Sequence, residues 1–179
     1  MIFCSVDLAF STTGLCISDE DLNILDVKKI TTCYGEIKDK SEDEKIVFIC
    51  DAIIALCNVW NVTTVILEDQ FVGNNMKTAM QLNRVRGALT YAVLSNKMSI
   101  KYIPAVTVKK IVSKYAGVDI HKDCDSKSVI ADCVLDIYSD NEIVQRIGKY
   151  NNGQNKSKTS DMYDAVALSV AYGLTRHKL

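Results

Sequence analysis

The order of apolar and polar positions along the chain predicts strands in its first part and mostly helices later. Residues 2–8 form an apolar run rich in β-forming residues, which predicts a buried strand. A Ser-Thr-Thr turn follows, and two more apolar stretches predict a meander. Strands are predicted, in order, at residues 2–8, 15–18, 24–33, 62–67 and 100–104. The fourth of these ends at Glu68.

Helical periodicity begins after the third predicted strand. Apolar residues recur at helical spacing from Ile46 to Trp60. Further helices are predicted at 76–96, 105–115, 126–137 and 160–175, and polar loops at 69–75, 117–125 and 148–159. Three strands, a helix, a strand, a helix, a strand and then helices predict a mixed α/β sheet with helices on its faces.

Length and composition fit one globular domain spanning residues 1–179. The chain has 48% hydrophobic and 24% charged residues, which argues against disorder. No apolar run reaches the roughly 18 residues of a membrane helix, and no basic start precedes the first apolar run, so we expect no signal peptide. Seven cysteines without a CxxC pair predict reduced, mostly buried thiols in a cytoplasmic protein, and the two histidines offer no zinc-finger spacing.

The net charge of −1 conceals an uneven distribution along the chain. Residues 1–75 carry 13 acidic and 5 basic side chains, a net charge of −8, whereas residues 76–127 carry 3 acidic and 10 basic, a net charge of +7. This distribution suggests one face that meets a polyanion. Charge alone favours the simpler explanation, a solvated helical face.

Four acids stand where buried or sheet-facing positions are expected. Asp7 ends the first apolar strand, Glu68 ends the fourth, and Asp161 and Asp164 share one face of the last helix through their i, i+3 spacing. Each acid alone is explained by a turn, a strand end or a helix dipole. The combination is more specific: four carboxylates brought together repel one another unless a cation neutralises them. Hard oxygen ligands suit Mg²⁺ or Mn²⁺, and two such ions support phosphodiester cleavage.

These motifs resemble the RuvC-type Holliday-junction resolvases of the RNase H-like superfamily. The N-terminal match is VDLAFSTTG, and the strongest match is the block VILEDQFVGNNMKTAMQLNRVRGAL at residues 65–89. The likeness continues to 108–112 and resumes at 126–130 and 160–171. Ala9 stands where the family has Gly, and residues 138–158 are longer than the family pattern. The longer segment fits a phage or viral member.

The resemblance implies a mixed five-stranded RNase H-like sheet flanked by helices, and a homodimeric nuclease that nicks two strands symmetrically across a four-way DNA junction. It implies that Asp7, Glu68, Asp161 and Asp164 bind two Mg²⁺ or Mn²⁺ ions. It also implies a catalytic role for two lysines near the active site, Lys109 and Lys127. Whether a branch-migration helicase is a partner stays open.

Further residues are candidates for DNA binding. Phe71 matches the family position that stacks at the junction centre; the bland explanation is a loop aromatic packed on the core. After Phe71, the same loop and the following helix carry hydrogen-bond donors with no acid between them, and such side chains suit phosphates. A second candidate region is the lysine-rich loop just before Asp161. The remaining DNA-binding candidates are Asn74, Asn75, Lys77, Arg84, Arg86, Lys156 and Lys158.

Three other functions remain open from the sequence. An RNase H-like nuclease with another structured substrate has the same acids. An actin-like ATPase or sugar kinase also begins with an Asp strand and a Thr/Gly turn, but it needs a second phosphate loop and a longer chain. A non-catalytic junction-binding module is disfavoured because all four acids are present.

Overall fold

A computed structural model describes residues 1–69, 76–118, 126–149 and 159–176, without the side chains of residues 126, 127, 148 and 149. Its strands are β1 (Ile2–Asp7), β2 (Thr12–Asp19), β3 (Ile24–Thr31), β4 (Thr64–Asp69) and β5 (Ser99–Pro104). Its helices are α1 (Glu42–Val59), α2 (Met76–Ser95), α3 (Ala105–Tyr115), α4 (Ser126–Ile137), α5 (Glu142–Lys149) and α6 (Ser160–Thr175). A short 3₁₀ helix, Glu36–Asp39, precedes α1.

The strands form one mixed sheet with the order β3-β2-β1-β4-β5. β1, β2 and β3 are an antiparallel meander, while β1, β4 and β5 run parallel. The parallel pairs need crossovers, which α1 and α2 supply. This arrangement puts the carboxyl ends of β1, β4 and β5 along one edge, and it confirms the predicted five-stranded sheet.

Each face of the sheet has its own apolar core. Cys4, Val6 and Leu67 pack with α1 and α2 on one face, whereas Phe3 and Ile66 pack under the later helices, α6 above all, on the other. Neighbouring strand residues therefore face opposite cores, as the pleat requires. The sheet is covered on both sides, which explains why β1 and β4 read as continuous apolar runs.

Most predicted elements are confirmed, and several details differ. β2 begins at Thr12 and not at residue 15, so the predicted Ser-Thr-Thr turn lies partly inside the strand. The strand predicted at 62–67 continues through Glu68 to Asp69, and α5 occupies a region with no predicted helix.

The apolar side chains of the stretch 76–96, among them Met80, Leu89 and Val93, predict from the sequence a dimer contact through this helix or its neighbour. Leu89 and Val93 are instead fully buried in this chain's own core. For these two side chains the expectation was wrong, because the sheet covers more of α2 than its pattern indicates.

The described cysteines are free thiols, as predicted. Five of them are buried, and Cys33 is exposed. Burial raises the pKa of the Cys16 thiol to about 12 and that of Cys50 to about 11, so both stay protonated and unreactive. Across the described ranges, no helix is both long and apolar enough to cross a membrane.

Candidate active site

Two of the four candidate acids lie at the carboxyl ends of neighbouring parallel strands. Val6 of β1 is paired with Leu67 of β4, and Asp7 and Glu68 each follow this pair by one residue. Both acids are half-buried. Neighbouring strands are about 4.8 Å apart, so the register brings these two acids to adjacent positions at one edge.

Asp7 and Glu68 lie on the face of the sheet that α6 covers. Phe3 and Ile66 belong to the core beneath α6, and the ring of Phe3 meets that of Tyr172 edge-on with centroids 5.0 Å apart. Alternate residues of a strand share a face. Asp7, four residues after Phe3, and Glu68, two after Ile66, therefore face the α6 side.

Helix α6 contributes the other two acids at its first turn. Asp161 and Asp164 are half-buried, whereas every other residue from Ser160 to Tyr172 is buried. Their i, i+3 spacing puts both on one side of the helix. Along this stretch, the partly exposed side of the helix is therefore the side that carries the two acids.

Gly14 brings the start of α6 directly against the strands. Gly14 on β2 is paired with Asp7 on β1. A Cβ atom at Gly14 would lie 1.9 Å from the carbonyl oxygen of Asp161 and 2.9 Å from the backbone nitrogen of Met162. These distances mean overlap, so only glycine allows this approach. The close approach seats Asp161 beside the strand pair that carries Asp7.

The donor set fits a hard divalent cation by its chemistry. The four acids come from β1, β4 and α6, and carboxylate oxygens are the ligands that Mg²⁺ and Mn²⁺ prefer. Among the residues described, no three acidic, histidine or cysteine side chains stand close enough together to hold a metal ion without adjustment. The set of four ligands therefore stays a prediction.

Arg86, a predicted DNA contact, is engaged inside the protein. Its Nη2 atom is 2.8 Å from Oδ1 of Asp69, and its Cζ atom lies 4.4 Å from the centroid of the Tyr102 ring. Partial burial acts to lower the pKa of Arg86, but the contacts with Asp69 and Tyr102 outweigh it and raise the pKa. Arg86 also lines a small cleft with Glu68. Nothing in the sequence pattern indicates that Asp69 or Tyr102 would hold this arginine.

Arg84 is exposed but paired with the start of α1. Its guanidinium contacts Oε2 of Glu42 at 2.6 Å and also Asp43, and Gln81 donates a hydrogen bond to Glu42. Part of the acidic excess of residues 1–75 is thus compensated by α2 within the molecule. A DNA contact by Arg84 stays a prediction, and it would compete with these carboxylates.

The other predicted residues are exposed or lie outside the described part of the chain. Lys77 on α2 and Lys109 on α3 are exposed. Lys127 belongs to α4, but its side chain is not described. The candidates outside the described residues are Phe71, Asn74, Asn75, Lys156 and Lys158. The loops predicted at 69–75, 117–125 and 148–159 fall largely in the same gaps.

Comparison with known proteins identifies the family to which this chain is similar. The family of crossover junction endodeoxyribonuclease RuvC matches residues 4–123, a range that contains most of β1 and all of β4 and α2. The crossover junction endodeoxyribonuclease RuvC of Legionella pneumophila strain Lens is 25% identical over 147 residues, which cover 82% of this chain and 72% of that protein.

Solved structures have the same fold. The structure of Thermus thermophilus RuvC aligns with a TM-score of 0.72 at 15% identity, covering 99% of this chain and 96% of that one. T. thermophilus RuvC in complex with a Holliday junction substrate aligns with a TM-score of 0.68 at 12% identity, with the same coverage. The family match spans well over half of the residues of this chain. The chain therefore belongs to the RuvC family of crossover junction endodeoxyribonucleases.

Proposed function

We propose that this protein resolves Holliday junctions by metal-dependent nicking of two strands placed symmetrically across the four-way junction. One observation carries the proposal: Gly14 seats the first turn of α6, with Asp161, beside the strand pair that carries Asp7. A nuclease site built from β1, β4 and α6 needs this juxtaposition. The relative from T. thermophilus that was solved with a Holliday junction substrate supports the choice of DNA.

Asp7, Glu68, Asp161 and Asp164 would hold two Mg²⁺ or Mn²⁺ ions. When bound, such ions lower the pKa of a coordinated water and stabilise the leaving oxygen of a phosphodiester. In this proposal the protein keeps four like charges on one edge, and the register of β1 with β4 and the contact at Gly14 support it. Because the acids project from three separate elements, small shifts of any one element would change the site.

Basic residues would hold the DNA around this edge. Lys77 lies in the first turn of α2, and Lys109 lies on α3, the helix that follows β5; both are exposed. Lys109 and Lys127 are proposed to offset the charge that develops on the scissile phosphate. Neutralising phosphates with lysine supplies affinity that falls with salt and carries no sequence information.

Two coordinated nicks require two sites related by a two-fold axis, so we propose a homodimer. Helix α2 keeps exposed apolar side chains after its own core is filled: Met80 is 61%, Tyr91 76% and Leu94 54% exposed. Their spacings of eleven and three residues put them on one side of the helix. This apolar side of α2 is the proposed contact between subunits.

The test is cleavage of a labelled four-way junction beside linear duplex DNA and an RNA–DNA hybrid of equal length, with Mg²⁺ or Mn²⁺. We expect paired nicks in opposing junction arms, and no cleavage of the linear duplex. Cleavage of the hybrid instead would indicate an RNase H-like nuclease with another substrate. Tight binding of the junction without any cleavage would indicate a non-catalytic junction-binding protein.

A further inference from the structure

The guanidinium of Arg86 bridges three elements next to the proposed active site. It is bonded to Asp69, the last residue of β4, at 2.8 Å, and it stacks over Tyr102 of β5 at 4.4 Å. The Arg86 side chain is only 25% exposed. One side chain of α2 therefore ties the helix to the carboxyl-terminal halves of β4 and β5.

Further hydrogen bonds fix Tyr102 and Arg86 relative to each other. The hydroxyl of Thr90 donates to the backbone carbonyl of Arg86 at 2.8 Å. The same hydroxyl oxygen is 3.0 Å from the phenol oxygen of Tyr102. The ring is thus held at its face by the guanidinium and at its hydroxyl by Thr90, so the network has little freedom to rearrange for a phosphate.

The pleat of β4 links this network to a catalytic candidate. Leu67 faces the core under α1 and α2, and Ile66 faces the core under α6. Asp69 accordingly points toward α2, where Arg86 binds it, and Glu68 points to the opposite face. Fixing Asp69 on one side fixes the direction of Glu68 on the other. Arg86 and Glu68 also line a common cleft with Leu8, Leu67 and Leu82.

We propose that Arg86 is a positioning residue: by binding Asp69 and stacking on Tyr102, it holds the end of β4 so that Glu68 faces Asp7 and α6. In this role Arg86 does not contact DNA phosphates, which replaces the expectation from the sequence. The inference rests on the proposed function, since the direction of Glu68 matters only for the site that Glu68 helps to form.

The experiment compares Arg86→Ala, Asp69→Asn and the double variant with the wild type. Single-turnover cleavage of a labelled junction is measured at saturating enzyme, and the junction Kd is measured in EDTA. Misplacement of a catalytic group by about 1 Å costs roughly 100-fold in rate, so each single variant should lose ten- to hundredfold in rate. The Kd should change by less than about threefold. The double variant should be no slower than the slower single variant, because both substitutions break one contact.

Arg146→Ala is the matched control. Arg146 forms an exposed ion pair with Glu142 within α5, at 3.0 Å, and its loss should leave cleavage and binding unchanged. A second readout is the Mn²⁺ concentration that gives half-maximal cleavage. It should rise in Arg86→Ala and Asp69→Asn and stay constant in the control, which a general loss of stability would not produce.

A phosphate-binding role for Arg86 predicts different results and would overturn the proposal. Arg86→Ala would then weaken junction binding about tenfold, and the slope of the logarithm of the binding constant against the logarithm of the salt concentration would fall by about one. Asp69→Asn would cleave at the wild-type rate. If Arg86→Ala fails to fold, Asp69→Asn decides by the same criteria. A wild-type chain that never cuts refutes the proposed function instead. The shift of melting temperature by Mn²⁺, expected to be smaller in Arg86→Ala than in the wild type, then tests the positioning role.

Discussion

Asp161 and Asp164 illustrate how much of this protein depends on single side chains. In a stretch of α6 that is otherwise buried, they are the two half-buried positions, and the backbone of Asp161 lies against Gly14, the β2 partner of Asp7. A neutral residue there would serve helix packing equally well. Retaining two acids at this position makes sense if a cation compensates them.

Replacing the acids by their amides tests the proposed ligand set. Asp161→Asn and Asp7→Asn keep the shape of the side chain and remove the charge. Loss of groups that only orient metal ligands costs 10- to 100-fold, so loss of a ligand should reduce the cleavage rate by about 100-fold or more. Junction affinity should persist, because binding draws on lysines and arginines. A cleavage rate near that of the wild type for Asp161→Asn would contradict the four-acid site.

Gly14→Ala tests the close approach of α6 to β2. The added methyl group would overlap the Asp161 carbonyl, 1.9 Å away, so α6 must shift. Overpacking of this kind costs about 1–3 kcal/mol, and the cleavage rate should fall more than stability alone explains. The control is Gly87→Ala, where a Cβ meets nothing within 4 Å, and helix propensity should raise the melting temperature. Full cleavage by Gly14→Ala would mean that the position of α6 is not critical.

At the scale of elements, the sequence predicted long helices well and short ones poorly. Helices α4 and α6 have the predicted bounds because their apolar periodicity extends over three turns or more. Helix α5 has eight residues, too few for a clear period. Its one local signal is Asn141, whose side chain accepts hydrogen bonds from the backbone of Ile143 and Val144, and Asn is common in loops as well.

The sequence also could not predict which side chains of different elements contact one another. The position of Asp69 after Glu68 follows from the strand, but its pairing with Arg86 depends on how α2 crosses the sheet. The burial of Leu89 depends on the same crossing. Such contacts are tertiary, and neither spacing nor composition determines them. By contrast, the adjacency of Asp7 and Glu68 follows from parallel pairing, which a pattern of strands and crossover helices predicts.

The start of α1 yields a prediction about pH. Ser41 caps the helix, and Glu44 completes a capping box with hydrogen bonds back to Ser41. Those bonds hold the pKa of the Glu44 carboxyl below its usual value. A lowered folded pKa means that the contribution is present above the unfolded pKa, about 4.3, and is lost as pH falls through the folded value. Urea unfolding should therefore show stability declining below about pH 4.5.

Ser41→Ala should remove that contribution together with the cap. Loss of a serine N-cap costs about 1 kcal/mol at neutral pH. The difference between variant and wild type should shrink at acid pH, where the wild type has also lost the Glu44 hydrogen bonds. A difference that is constant from pH 7 to pH 3 would show that the carboxylate does not contribute.

At the scale of the whole molecule, the family assignment settles the class of enzyme. The match to the RuvC family excludes the actin-like ATPase, an alternative that the first strand with its Asp and the following Thr/Gly turn left open. Nucleases of this family are metal-dependent; the identity and number of the ions, the extent of a single domain over 1–179, a cytoplasmic location and a phage or viral origin stay predictions.

The proposed dimer is tested by substitutions on the exposed apolar side of α2. Tyr91→Glu and Leu94→Glu place charges on the apolar side of α2 without touching the buried core. Sedimentation should show a wild-type dimer and a variant monomer, and the variant should lose paired nicks while the fold is retained. A wild-type monomer at micromolar concentration, both free and on a junction, would count decisively against the symmetric arrangement.

The contact between Gly14 and Asp161 also governs when activity can first appear during synthesis. The acids of the strands are translated within the first 68 residues, whereas those of α6 follow about ninety residues later. Chain growth at roughly 5–20 residues per second separates the two events by several seconds. A ribosome-bound chain that has folded its sheet but not yet docked α6 has two of the four proposed metal ligands. Nascent and truncated chains should therefore be harmless to DNA, and nuclease activity should emerge only with the last long-range step of folding.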